Sequence, residues 1–170
     1  MLAWYALHVR HQCEQLVETA LAGHCETFWP HRVTRTANGV RGGARKINRR
    51  PWFPGYMFVR ADWEQREARN RVLGRHVLGI LGSGDGPIAI PDHEIDSLRT
   101  LMRERAGVIQ TPAQAGQRVR VTCGPLRGVE GIVARIANAE MLVVQVDLLG
   151  RGVAVSLPNE VIELQHPLAA

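Results

Sequence analysis

Residues 117–164 read as strands alone, and this constrains the fold more than any other feature of the 170-residue chain. Val119 and Val121 alternate with Arg118 and Arg120, and short apolar runs follow at 132–136, 141–146, 153–157 and 161–164. Gly124-Pro125-Leu126-Arg127-Gly128-Val129-Glu130-Gly131, Asn138, Gly150-Arg151-Gly152 and Pro158-Asn159 punctuate them. Five short strands in about fifty residues predict a small closed or half-closed barrel with a modest core.

The preceding hundred residues follow a different rule. Tyr5, Leu7 and Val9 alternate with Trp4, Ala6, His8 and Arg10, the period of a strand. Cys13, Leu16, Val17, Ala20 and Leu21 fall on one stripe of a helix that Gly23 stops. Strands are expected at 26–29, 55–60, 77–81 and 88–90, with a hairpin turn at 82–87. A helix is expected over 63–73, with Asp62 as its cap and Gln65 completing a capping box. Pro91 opens the best-marked helix. Asp92, Glu94 and Asp96 start it, Arg99, Arg103 and Arg105 end it, and Ile95, Leu98, Leu101 and Met102 give the buried stripe before Gly107. Residues 110–116, Gln-Thr-Pro-Ala-Gln-Ala-Gly, read as a linker.

Charge is unevenly placed. The net charge is +5, yet residues 1–60 carry nine basic side chains against three acids, while 116–170 balance five against five. The densest part is 32–50, with seven Arg or Lys and no acid, around Asn38-Gly39, a strong hairpin signal. This predicts a basic β-arm that either meets a polyanion or stands solvated. No catalytic constellation emerges: there is no Ser/His/Asp set, and the glycine run at 82–87 lacks the GK[ST] ending of a phosphate loop. Cys13, Cys25 and Cys123 cannot all pair, and the His and Cys spacings between His8 and His31 do not match a zinc site. No metal and no cofactor are expected. With no membrane-length apolar stretch and no export signal, the chain is expected in the cytoplasm.

The opening Trp4-Tyr5, the run Phe53-Pro54-Gly55-Tyr56-Met57-Phe58-Val59, the strand Val77-Leu78-Gly79-Ile80-Leu81-Gly82, the Pro91-started helix and the Gly124 to Gly131 turn together resemble NusG-type transcription elongation and antitermination factors. The last of these is similar to the KOW motif. The resemblance implies an α+β chain: an N-terminal α/β sandwich over residues 1–106, with an antiparallel sheet and about three helices, a linker at 107–116, and an SH3-like KOW β-barrel at 117–166. It implies a non-enzymatic, monomeric factor that docks on the clamp helices of RNA polymerase and modulates pausing, termination or antitermination. The groove would be formed by Phe53, Tyr56 and Phe58 with Ala6 and His8. Those aromatics either line a partner groove or fill a core, since aromatic side chains dominate both.

The family also approaches the upstream fork and the non-template DNA strand. Arg71, Arg75 and His76 lie where that contact would fall, and Arg41, Arg45, Lys46, Arg49 and Arg50 of the arm would add phosphate contacts. In the barrel, Leu148, Leu149 and Arg151 fall in the turn with which the family holds NusE or Rho. The arginine-rich arm is similar to specialised paralogues of the RfaH or UpxY kind. In some of these the C-terminal domain switches to a helical hairpin. Here Gly124, Pro125, Gly128, Gly131, Gly150, Gly152 and Pro158 oppose that form, Gly costing about 1 and Pro about 3 kcal/mol in a helix interior. The alternative, a ribosome- or RNA-binding KOW protein, predicts a basic barrel, which the neutral residues 116–170 do not supply.

Overall fold

The computed structural model describes residues 1–36, 46–112, 116–136, 139–156 and 162–164. In chain order the elements are β1 (Leu2–Val9), α1 (Glu14–Leu21), β2 (Glu26–Phe28), β3 (His31–Thr36), β4 (Lys46–Pro51), β5 (Tyr56–Asp62), α2 (Arg66–Val72), β6 (Val77–Ile80), β7 (Gly82–Ser83), β8 (Gly86–Pro87) and α3 (Asp92–Arg103). Then come β9 (Val108–Pro112), β10 (Gln117–Val121), β11 (Glu130–Ile136), β12 (Ala139–Val146), β13 (Arg151–Ser156) and β14 (Ile162–Leu164). This is the α+β architecture expected: three helices with antiparallel sheets, then a strand-rich block consistent with a KOW barrel.

The first sheet has the order β2-β5-β1-β6, every pair antiparallel. Period-2 geometry gives it two apolar faces. Leu7, Val9, Met57, Val59 and Ala61 pack against Val17 and Leu21 of α1 and Val72 of α2. Trp4, Ala6, Phe28 and Phe58 share the other face's cluster with Phe53 and with Ile95, Leu98 and Leu101 of α3. The α3 guanidinium of Arg99 lies 4.8 Å from the Trp4 ring centroid and 5.4 Å from that of Phe28, which seats the helix over this face.

The second sheet has the order β14-β10-β11-β12-β13-β9, again antiparallel throughout. The Gly124 to Gly131 turn is a backbone knot: the Gly128 N–H donates to the Val121 carbonyl at 2.8 Å, and Val121 N–H to the Val129 carbonyl at 3.0 Å. Gly128 sits at φ +86°, which disfavours any side chain. At Gly131 a Cβ would come within 2.6 Å of the Val143 carbonyl oxygen, so the β11–β12 contact requires glycine.

Several local expectations change. On α1 the buried positions are Glu14, Val17 and Leu21, while Leu16 is exposed. The helix turns this way because the Glu14 carboxylate accepts the Gly55 N–H at 3.1 Å, tying it to the Phe53-Pro54-Gly55 turn. Asp62 does not cap α2. Strand β5 runs through Asp62, whose carboxylate accepts from Glu64 N–H and from the Gln65 side chain, and α2 starts only at Arg66. Ile90 makes a single bridge to Trp4 rather than a strand. The left-handed residue ending α3 is Arg105, φ +52°, not Gly107. Within the stretch expected as linker, Val108–Pro112 form β9 and pair along β13. The arm is a paired ribbon, β3 with β4 from His31↔Pro51 to Thr36↔Lys46; the expected Asn38-Gly39 turn lies outside the described residues. Among the described residues no helix is long and apolar enough to cross a membrane.

Candidate functional site

The register of the first sheet assembles the groove residues. β1 against β5 pairs Ala6 with Phe58 and His8 with Tyr56. The His8 and Tyr56 rings stack with centroids 5.2 Å apart. Phe53 meets Phe58 edge-on at 6.0 Å, and Phe28 stacks on Phe58 at 6.1 Å. All five predicted groove residues thus lie in one neighbourhood, at different depths. Ala6, Phe53 and Phe58 are fully buried, Tyr56 is half-buried and His8 is exposed.

The cover over this neighbourhood comes from the chain itself. One continuous buried cluster runs from Trp4, Ala6, Phe53 and Phe58 through Ile95, Leu98 and Leu101 into Val119, Leu142, Val144, Val146 and Val153 of the second sheet. Leu148 and Leu149, in a single 3-10 turn over Asp147–Leu149, are half-buried against it. The turn geometry escapes the strand rule that only one of two adjacent residues can point inward. Arg151 places its guanidinium 5.9 Å from the Tyr56 ring centroid. So the turn expected to hold one partner and the aromatic face expected to hold another are packed together.

Polar contacts fasten the same junction. The Glu130 N–H donates to Ser97 Oγ at 3.0 Å, and the Gln110 side-chain amide to the Pro51 carbonyl at 2.8 Å. A cleft lined by Trp52, Pro54, Gln110, Thr111, Gly150, Arg151 and Gly152 marks its edge. At the other side Glu94 of α3 is 8% exposed and faces Arg118 and Asp147. Burial, reinforced by the Asp147 charge, pushes its carboxyl up to about 7, while the Asp147 backbone N–H and Arg118 pull it down. Glu94, Ser97, Gln110, Arg118 and Asp147 were not singled out as site residues from sequence. The signal was present: Glu94, Ser97, Leu98 and Leu101 fall at i, i+3, i+4 and i+7, which places Glu94 on the buried stripe. Its position in the first turn of α3 suited the helix dipole and hid this.

The predicted nucleic-acid residues divide between elements. Arg49 and Arg50 are exposed on β4, and Lys46 begins that strand; Arg41 and Arg45 lie outside the described residues. Arg32 stands directly opposite Arg50 in the ribbon, both exposed, a like-charge pair that costs stability unless an anion neutralises it. Arg71, in the last turn of α2, lies beside Glu67 at 4.0 Å, Arg75 is exposed, and His76 is half-buried. Among the described residues no cluster of His, Cys, Asp or Glu is set to hold a metal ion, and the three cysteines are free thiols.

Comparison with known proteins gives a consistent family. The family model described as "Transcription termination factor nusG" matches residues 2–99. Curated relatives named "Transcription termination/antitermination protein NusG" include those of Deinococcus radiodurans, 28% identical over 92% of this chain and 95% of the relative. The Escherichia coli K12 protein is 29% identical over 94% of each chain. The Pseudomonas aeruginosa protein is 30% identical over 94% of this chain and 97% of its own. A solved structure described as "Domain interaction in Thermotoga maritima NusG" superposes with a TM-score of 0.53 at 23% identity, covering 98% of each chain, and so shares the fold.

Proposed function

Because this chain belongs to the NusG family of transcription factors, we propose that it is an elongation factor that binds RNA polymerase and modulates pausing, termination or antitermination, as a specialised paralogue. It acts by binding rather than by catalysis. Residues 1–106 would grip the polymerase clamp helices through the neighbourhood of Phe53, Tyr56, Phe58, Ala6 and His8. The KOW turn of Leu148, Leu149 and Arg151 would hold a second partner, NusE or Rho. The arm and the Arg71, Arg75 and His76 edge would meet non-template DNA at the upstream fork, through Arg–phosphate pairs.

One observation carries this reading: the aromatic neighbourhood and the KOW turn bury each other in a single apolar cluster. A chain that lifts its barrel from α3 exposes a contiguous apolar face, and such a face calls for a protein partner. The arrangement described is therefore the resting, self-covered form, and polymerase competes with the barrel for the same surface. The arginine-rich ribbon supports the specialised subtype.

Tyr56→Ala and His8→Ala in the full chain test this best, because neither side chain is a fully buried core element. Capture of core RNA polymerase should weaken by about 1–3 kcal/mol where the side chain is a hot spot. Wild-type capture by both folded variants would remove the groove assignment.

A further inference from the structure

We propose that Glu94 is a proton-operated latch on the junction between α3 and the second sheet: its neutral acid holds the two halves together and its carboxylate loosens them. The inference rests on the self-covered arrangement described above.

The geometry is that of a carboxyl with no adequate counter-charge. Glu94 is buried at 8% exposure, and its Oε2 has no hydrogen-bond partner among the described residues. The Asp147 backbone N–H favours the charged carboxylate, but less than burial opposes it. The titratable and charged groups lining the same small cavity are His93 of α3, Arg118 of β10, Glu130 of β11 and Asp147 of the 3-10 turn, with Gln145 of β12 between them. The cation that bears on Glu94 is already engaged: Arg118 donates to Asp147 Oδ2 at 3.0 Å, while Gln145 donates to Asp147 Oδ1 at 2.7 Å. Glu130 pairs with Arg120. An ionised Glu94 therefore adds a desolvated negative charge beside a satisfied ion pair.

All of those groups except His93 come from the second sheet and the 3-10 turn between two of its strands, so lifting the barrel returns Glu94 to water. The closed-state carboxyl titrates at about 7, against an ordinary 4.5. Closing is thus unpenalised below about 4.5, weakens as pH climbs to about 7, and levels off above that. A shift of this size corresponds to on the order of 10²-fold in the opening constant.

The test uses the full chain and the hydrogen-exchange protection factor of the Glu130 amide, which spans the junction to Ser97 Oγ. Corrected for intrinsic exchange, protection should fall by tens- to a hundred-fold between about pH 5 and pH 8 in the wild type. It should stay flat in Glu94→Gln. Arg118→Gln, which removes a group that lowers the Glu94 value, should move the midpoint upward and serves if Glu94→Gln loses its thermal transition. The latch is overturned by a wild-type change under about threefold, by a Glu94→Gln slope equal to wild type, or by a slope lost in His93→Gln and retained in Glu94→Gln. Absence of protection even at pH 5 would instead remove the self-covered arrangement itself.

Discussion

The ring of Phe58 touches Phe28 on its face and Phe53 on its edge, and it has no exposed surface. Phe58→Ala therefore acts on stability before it acts on any partner. It should lower the unfolding free energy by about 3–5 kcal/mol in a urea titration, the usual range for buried Phe. A loss below about 1 kcal/mol would mean that the ring is not core. Gly131→Ala is a second single-residue test. Its methyl would meet the Val143 carbonyl, and overpacking of this kind costs about 1–3 kcal/mol. The loss should appear as a lower melting temperature with the first-sheet tryptophan environment unchanged below the transition. At this scale the sequence states which residues share a face, because alternation is local. It does not state which face is covered, so the burial of Phe53 and Phe58 and the half-exposure of Tyr56 needed the structure.

Among the elements, the β3–β4 ribbon carries the sharpest expectation. Val33 pairs with Arg49 and Arg32 with Arg50, so Arg49 and Arg50 project from opposite faces. A nucleic-acid strand lying on the Arg32 and Arg50 face would be relieved of one phosphate contact by Arg50→Gln. The log–log salt slope of binding to the elongation complex should then fall by about 0.7–0.9, with Arg49→Gln leaving it nearly unchanged. Equal slopes for wild type and both variants would make the ribbon a solvated element. That the ribbon is a hairpin was legible from the Asn-Gly signal, but its register was not: Thr36 pairs with Lys46, whereas a two-residue Asn38-Gly39 turn would set Thr36 opposite Arg41. The start of α2 was not legible either. Asp62 and Gln65 have the spacing of a capping box, but Asp62 belongs to β5, and its ladder partner Leu2 holds it in the sheet. β9 was missed for a related reason. Val108, Ile109 and Gln110 look too short and too polar at their C-terminal end to be a strand, and only the edge of β13 supplies their hydrogen bonds.

At the scale of the whole molecule the change from mixed helices and strands to strands alone was legible in the pattern, but the packing of the two sheets against each other was not. It depends on α3 burying two sides at once, which a single apolar stripe does not announce. Leu149→Asp puts a charge into the apolar side of that packing. It should open the molecule, raising its radius of gyration in X-ray scattering, and strengthen capture of core RNA polymerase relative to wild type. Unchanged scattering together with unchanged capture would show that the barrel does not compete for that face. The pairing of β9 with β13 has a further consequence for such opening. If β9 stays with the barrel, only residues 104–107 join the two halves. At roughly 3.5 Å each, they form a leash of about 14–18 Å. The barrel then pivots instead of drifting away, and it returns to α3 as though present at a millimolar local concentration. Diluting the protein would leave the open fraction unchanged, whereas adding polymerase would raise it. Abundance would then set how many molecules wait, and the leash would set how ready each one is.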